Sequence, residues 1–180
     1  MAEGAALIEV HVSDLKELFN SFDPTPFHKR DLDPEAEEFI TSWAREMPRG
    51  APLGLLVHLD ADIPADPDEA VQAPVRDHFA RKATETQQRL RRLFRVGRIS
   101  LVIGLAVVAA SVIIGERIET MMRENRFGNI IRESFLIGGW VAMWRPLEIF
   151  LYEWWPIRDE ARLFVRLSRM TVRVGKTRAA

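Results

Sequence analysis

Apolar and polar residues change rhythm several times along this 180-residue chain. From Leu7 to Val12 they alternate, with Ile8, Val10 and Val12 on one side and Leu7, Glu9 and His11 on the other, which predicts a strand. Ser13 and Asp14 are placed to cap a short helix through about Asn20. Asp23-Pro24-Thr25-Pro26 then reads as an extended turn, because a residue before proline is pushed out of the α region. At Asp33-Pro34-Glu35 the period changes to that of a helix. Asp33 is the cap, Pro34 takes the first helical position, and Ala36, Phe39, Ile40, Trp43 and Met47 predict one buried face. Leu53 to Leu59 is apolar almost throughout, as expected of a strand covered on both faces.

Residues 61–74, rich in Asp, Ala and Pro, read as a linker. Helical patterning resumes at about Val75 and runs without a stop into an uncharged stretch, Ile99 to Gly115. At ~1.5 Å per residue that stretch covers about 25 Å. Val96 and Gly97 extend it towards the ~30 Å of a hydrocarbon core, and Arg98 can snorkel. A first span is therefore predicted over 96–116. A second is predicted over 134–155, although it contains Arg145, Pro146, Glu148 and Glu153. Beyond it, Ile157 to Leu167 has the pattern of a helix, and Met170, Val172 and Val174 alternate as a third strand.

The expected architecture is thus a membrane hairpin of two transmembrane helices plus a small cytoplasmic α/β domain built from both chain ends. Residues 1–60 supply most of that domain and 156–180 complete it, since two strands alone make a marginal sheet. Residues 75–133 hold the long helix, the first span and a polar connecting segment.

Charge refines this picture. Residues 1–75 carry 16 acidic and 5 basic side chains, a net of −11, whereas residues 76–180 carry 10 acidic and 20 basic, a net of +10. Seven lysines and arginines lie shortly before the first apolar run, from Arg81 to Arg98, and seven follow the second, from Arg158 to Arg178. Four lie between (Arg117, Arg123, Arg126, Arg132), balanced by Glu116, Glu119, Glu124 and Glu133. The positive-inside rule then puts both termini in the cytoplasm. Arg89, Arg91, Arg92, Arg95 and Arg98 are placed to meet anionic lipid headgroups, which accounts for them without nucleic acid. The N-terminus has no basic segment followed by an apolar run, so the first span is expected to serve as an uncleaved insertion signal. With no cysteine, disulfides, thiolate metal sites and cysteine nucleophiles are excluded.

Three constellations carry potential chemistry. Arg145 and Glu148 stand three residues apart on a helical stripe with Gly138, Val141 and Tyr152, so an ion pair at membrane depth is expected. Ser100, Gly104, Ser111 and Gly115, with Gly138 on the second span, form small-residue surfaces suited to close helix packing. Glu9, His11, His58 and Asp60 would share one sheet face if the first two strands are neighbours. No metal-ligand spacing, phosphate-binding glycine loop or nucleophile elbow occurs, so neither a catalytic group nor a cofactor is expected.

The stretch Gly139-Trp-Val-Ala-Met-Trp-Arg-Pro-Leu-Glu148, continuing through Tyr152-Glu-Trp-Trp-Pro-Ile157, resembles a segment of uncharacterised bacterial two-transmembrane-helix membrane proteins. The resemblance covers 139–157 and implies a bacterial inner membrane, with no mechanism attached. Together these readings favour a non-enzymatic, membrane-anchored binding or assembly module that engages a protein partner or forms a homo-oligomer. The alternatives are a small transport or channel subunit using Arg145 and Glu148, and an enzyme at the membrane surface.

Overall fold

The computed structural model describes residues 6–19, 31–48, 50–60, 66–121 and 126–176. The Asp23–Pro26 turn and residues 61–65 of the expected linker lie outside them. The described chain is mostly helical, with one small parallel sheet. It divides into two compact units, one of Met1–Thr86 with Asp159–Ala180, the other of Gln87–Arg158.

In the first unit, β1 (Ala6–Val12), β2 (Leu53–Leu59) and β3 (Thr171–Lys176) form a three-stranded sheet in that order. Both pairings are parallel, with Ile8 opposite Leu55 and Leu55 opposite Val172. The third strand therefore comes from the C-terminal end, as its alternation predicts. Ser13 and Asp14 start the one-turn helix α1 (Leu15–Leu18), where the Asp14 carboxylate accepts from the Lys16 N–H and the Ser13 N–H donates to Glu17. Asp33 caps α2 (Pro34–Glu46) by accepting from the Glu35 N–H at 2.9 Å.

One sheet face is covered, with Val10 and Val174 partly buried. Ile8, Val12, Leu53, Leu55, Val57, Leu59 and Val172 are buried against Ile40 and Ala44 of α2, against Val71, Val75 and Phe79, and against Leu163, Phe164 and Leu167. At ~25 cal/mol per Å² of apolar surface removed from water, this cluster is the main source of the unit's stability. The other face is open. Leu7, Glu9, His11, Thr171 and Arg173 are exposed, and Leu56 and His58 of the central strand are half-buried. The expectation that β2 is covered on both faces thus holds for one.

Two other expectations are corrected. In α2 the buried stripe is Ile40, Thr41 and Ala44, while Phe39 and Trp43 are 41% and 49% exposed and contact each other. They sit one position, ~100°, round the helix from the stripe. The expected linker is helical at its end: a π-helical turn, Asp68–Gln72, leads directly into α3 (Ala73–Met121). Val71, Val75 and Phe79 recur every fourth residue and are completely buried, so burial overrides the loop-like composition. The Gln72 side chain also accepts from the Val172 N–H, tying this turn to β3.

In the second unit, residues 97–115 of α3 pack antiparallel to residues 132–150. A Cβ placed on Gly97 would meet Ile149 and Phe150, on Gly104 Met143 and Ala142, and on Gly115 Arg132. The expected single helix over 134–155 is interrupted. It consists of α4 (Arg126–Ala142), α5 (Trp144–Glu148), a π-helical turn (Ile149–Glu153) and the start of α6 (Trp154–Leu167). Pro146 is the cause. It has no N–H for the Ala142 carbonyl, and the chain tightens there, the Met143 N–H turning to Trp140 at 3.0 Å. Among the described residues one helix is long and apolar enough to cross a membrane; only 17% of its most apolar 18-residue window, within Ala70–Ile118, is buried.

Candidate functional site

The interrupted helix brings three charged side chains together in the second unit. Arg145 leaves the first turn after the break, and its Nη1 donates to Glu148 Oε2 at 2.9 Å. The same nitrogen donates to Glu153 Oε1 at 2.5 Å. The arginine and glutamate pair anticipated from their spacing is therefore a triad. In an unbroken α-helix, Glu153 would stand about 80° round the axis from Arg145. The π-helical turn takes up that difference and brings the second carboxylate onto the same face. The spacing of eight residues gives no signal for this, so sequence reasoning stops at the Arg145–Glu148 pair. One guanidinium here faces two carboxylates, and all three side chains keep solvent-accessible surface, 58%, 43% and 29% respectively.

Aromatic rings flank the triad. Trp144 and Tyr152 are exposed, and Trp154 packs on Phe94 and on Trp155 with the Arg158 guanidinium over its ring. The Trp154 indole N–H donates to the Phe150 carbonyl at 2.8 Å.

Below the triad, small residues set the spacing of the two helical segments. Gly104 faces the Ala142 carbonyl, the one Pro146 cannot serve, and a Cβ there would lie 3.2 Å from that oxygen. Ser111 is buried and faces Gly139, with 3.2 Å between its Oγ and a Cβ on that glycine. Gly115 lies on Arg132, and Ser100 is half-buried. Gly138, the expected packing residue of the second segment, has nothing within 4 Å of its Cβ position; Gly139 occupies the contact instead. Gly97, absent from the expected stripe, makes the closest approach, 2.8 Å to Ile149.

On the open sheet face, the register sets His11 beside His58, and their rings stack at 4.4 Å between centroids, 11° from parallel. Glu9 Oε2 lies 3.7 Å from His58 Nε2, beyond hydrogen-bond length, and that nitrogen is buried with no partner among the described residues. Asp60 follows the end of β2, exposed, its N–H bound to the Val12 carbonyl. Among the described residues no group of three or more His, Asp or Glu side chains is arranged to hold a metal ion.

A further cluster escaped the sequence. His78 of α3 is 3% exposed, with Nδ1 3.2 Å from Asp31 and Nε2 3.1 Å from Glu37. The Leu32 backbone nitrogen lies 3.3 Å from the same Nδ1. Arg81 pairs with Asp31, and Lys82 with Glu37 at 3.0 Å. Partial burial would raise the Asp31 carboxyl, but hydrogen bonds from Arg81 and His78 and their charges outweigh it and hold it below the ordinary 3.8. The cluster joins α2 to α3 across 41 to 47 residues of sequence, and it reads as a polar clamp on the core.

Compared with known protein families, with curated proteins and with solved structures, the chain matches none.

Proposed function

We propose that this chain is an integral protein of a bacterial inner membrane, anchored by a two-span helical hairpin with both termini in the cytoplasm. Its α/β unit then acts as a non-enzymatic binding and assembly module. One observation carries the reading: the apolar run of α3 keeps its large side chains on the outside. Ile99, Val102, Ile103, Leu105 and Ile113 are each more than half exposed. A soluble monomer does not leave such a continuous apolar surface in water, whereas lipid covers it at no cost. The close approach of Gly97, Gly104 and Gly139 to the opposing segment supports the reading, because van der Waals packing of small residues is what holds helices together in lipid. The arginines flanking both segments support the inside placement of the termini.

The test is alkaline carbonate extraction of native membranes. The chain should stay in the pellet; release into the supernatant would contradict the anchor.

A second reading, a small transport or channel subunit, draws on the triad. Two carboxylates on one arginine leave a surplus negative charge that, at membrane depth, calls for a proton or a cation. If Glu148 and Glu153 serve ion passage, replacing both by Gln abolishes flux in proteoliposomes loaded with equal amounts of folded protein. Equal flux in variant and wild type removes this reading.

A further inference from the structure

A parallel sheet is ordinarily covered on both faces, and here, among the described residues, no element packs over the second face, whose outer strands are exposed. Across its middle runs one row set by the register: Glu9 on β1, Leu56 on β2 and Arg173 on β3. A negative, an apolar and a positive group thus lie side by side, Glu9 and Arg173 both exposed. The neighbouring rows are Leu7, Gly54, Thr171 and His11, His58, Gly175. Leu7 leans over Gly54, its Cδ1 3.3 Å from the glycine's Cβ position, and Leu56 leans over Gly175 at 3.9 Å. The glycines therefore let Leu7 and Leu56 lie flat, and Leu56 forms an apolar contact point between the charged ends of the row.

We infer that this face is the self-association surface, with two copies packing face on face about a two-fold axis that runs along the strands. The charges select that axis. Rotation about the strand direction carries β1 of one copy over β3 of the other. Glu9 then meets the second copy's Arg173 twice, and Leu56 meets its counterpart on the axis. Rotation about the perpendicular axis would instead set Glu9 on Glu9 and Arg173 on Arg173, which like-charge repulsion disfavours. Sheets packed this way lie ~10 Å apart, within reach of a glutamate and an arginine.

The surface is small. Three strands ~4.8 Å apart and ~3.3 Å per residue give roughly 330 Å² per copy, well under the ~800 Å² per partner of a stable complex. Association through it is weak in dilute solution and becomes effective when both copies share one membrane, where tethering raises the effective concentration. In this respect the inference rests on the anchored reading above.

The test uses charge reversal in the full-length chain, with two differently tagged copies expressed together. Leu56→Cys in this cysteine-free chain supplies the readout, because a short bis-maleimide then links the two copies across the axis. Wild-type charges should give cross-linked dimer. Glu9→Arg alone, or Arg173→Glu alone, sets like charges opposite each other and should lower cross-linking about tenfold, the scale of two exposed ion pairs reversed. Mixing the two single variants should restore it, since each then offers what the other lacks. The double variant should link to itself and not to the wild-type arrangement. Restoration also shows that the single variants are folded. Single variants that link as well as wild type, a mixture that stays apart, or wild type that does not link in membranes would each overturn the inference. If carbonate extraction releases the protein, the anchor fails by itself; the same pattern of loss and restoration is then read on concentrated soluble protein, and its presence or absence still decides the two-fold contact.

Discussion

Gly138 and Gly139 are adjacent in α4 and differ in what surrounds them. A Cβ on Gly138 meets nothing within 4 Å, whereas on Gly139 it meets Ser111 Oγ at 3.2 Å, Ser111 Cβ at 3.3 Å and the Val108 Cα at 3.4 Å. Leucine at either position gains the same helix propensity over glycine, somewhat less than the ~0.8–1.0 kcal/mol that separates alanine from glycine. At Gly138 nothing opposes that gain. At Gly139 the remaining methyls must enter space held by the backbone of α3, and overpacking of this kind costs ~1–3 kcal/mol. The difference between the two variants is therefore that cost. For a chain of this size ~1 kcal/mol shifts Tm by ~2–4 °C, so Gly139→Leu should melt ~2–12 °C below Gly138→Leu in detergent. Gly138→Leu itself should melt at or slightly above wild type. The assay is thermal unfolding of purified protein in a mild detergent, followed by tryptophan fluorescence. Equal melting, or the reverse order, would refute the packing of α4 on α3.

The triad makes a related prediction. Glu148→Gln or Glu153→Gln alone leaves Arg145 one carboxylate and should leave membrane abundance near wild type. The double variant should lower abundance by more than the two single effects combined; simple addition would mean that the carboxylates act separately. Asp31→Asn should destabilise the first unit at neutral pH by less than about 1 kcal/mol, because the group is half exposed and screened. Its folded carboxyl lies below the unfolded value, so its contribution is present above pH ~4 and is lost as pH falls through the folded value. The gap between variant and wild type should therefore close in acid, and a gap that widens there contradicts the assignment. Phe79→Ala, at a fully buried site facing Phe164, should cost ~3–5 kcal/mol in chemical denaturation; a cost under 1 kcal/mol would deny Phe79 its place in the core. Truncation after Leu167 removes Met170, Val172 and the partner of β2, and should make residues 1–60 protease-sensitive; unchanged resistance would show that two strands suffice.

The strands were legible because burial on one side imposes a period of two, visible in Ile8-Val10-Val12 and in Met170-Val172-Val174. The caps at Asp14 and Asp33 were legible because their chemistry is local. What escaped was set by partners distant in sequence. His78 gives no sign that Asp31 and Glu37 flank it, and Val71 looks like part of a linker until β3 is in place. The choice between Gly138 and Gly139, and between Trp43 and Ala44 as the buried residue, depends on a rotation of about one residue that periodicity does not resolve. Glu153 joined Arg145 only through the π-helical turn that follows Pro146. Arg145 and Glu148 were legible as a pair because three residues on a helix make neighbours whatever surrounds them.

The central claim is the membrane hairpin with both ends inside, and paired topology reporters test it most directly. A reporter active only in the periplasm is fused after Thr120, beyond the first apolar run, and separately after Ala180. The hairpin predicts activity for the fusion after Thr120 and none for the fusion after Ala180. Periplasmic activity after Ala180 would contradict the hairpin by leaving a single crossing, and inactivity at both positions would contradict the membrane span itself.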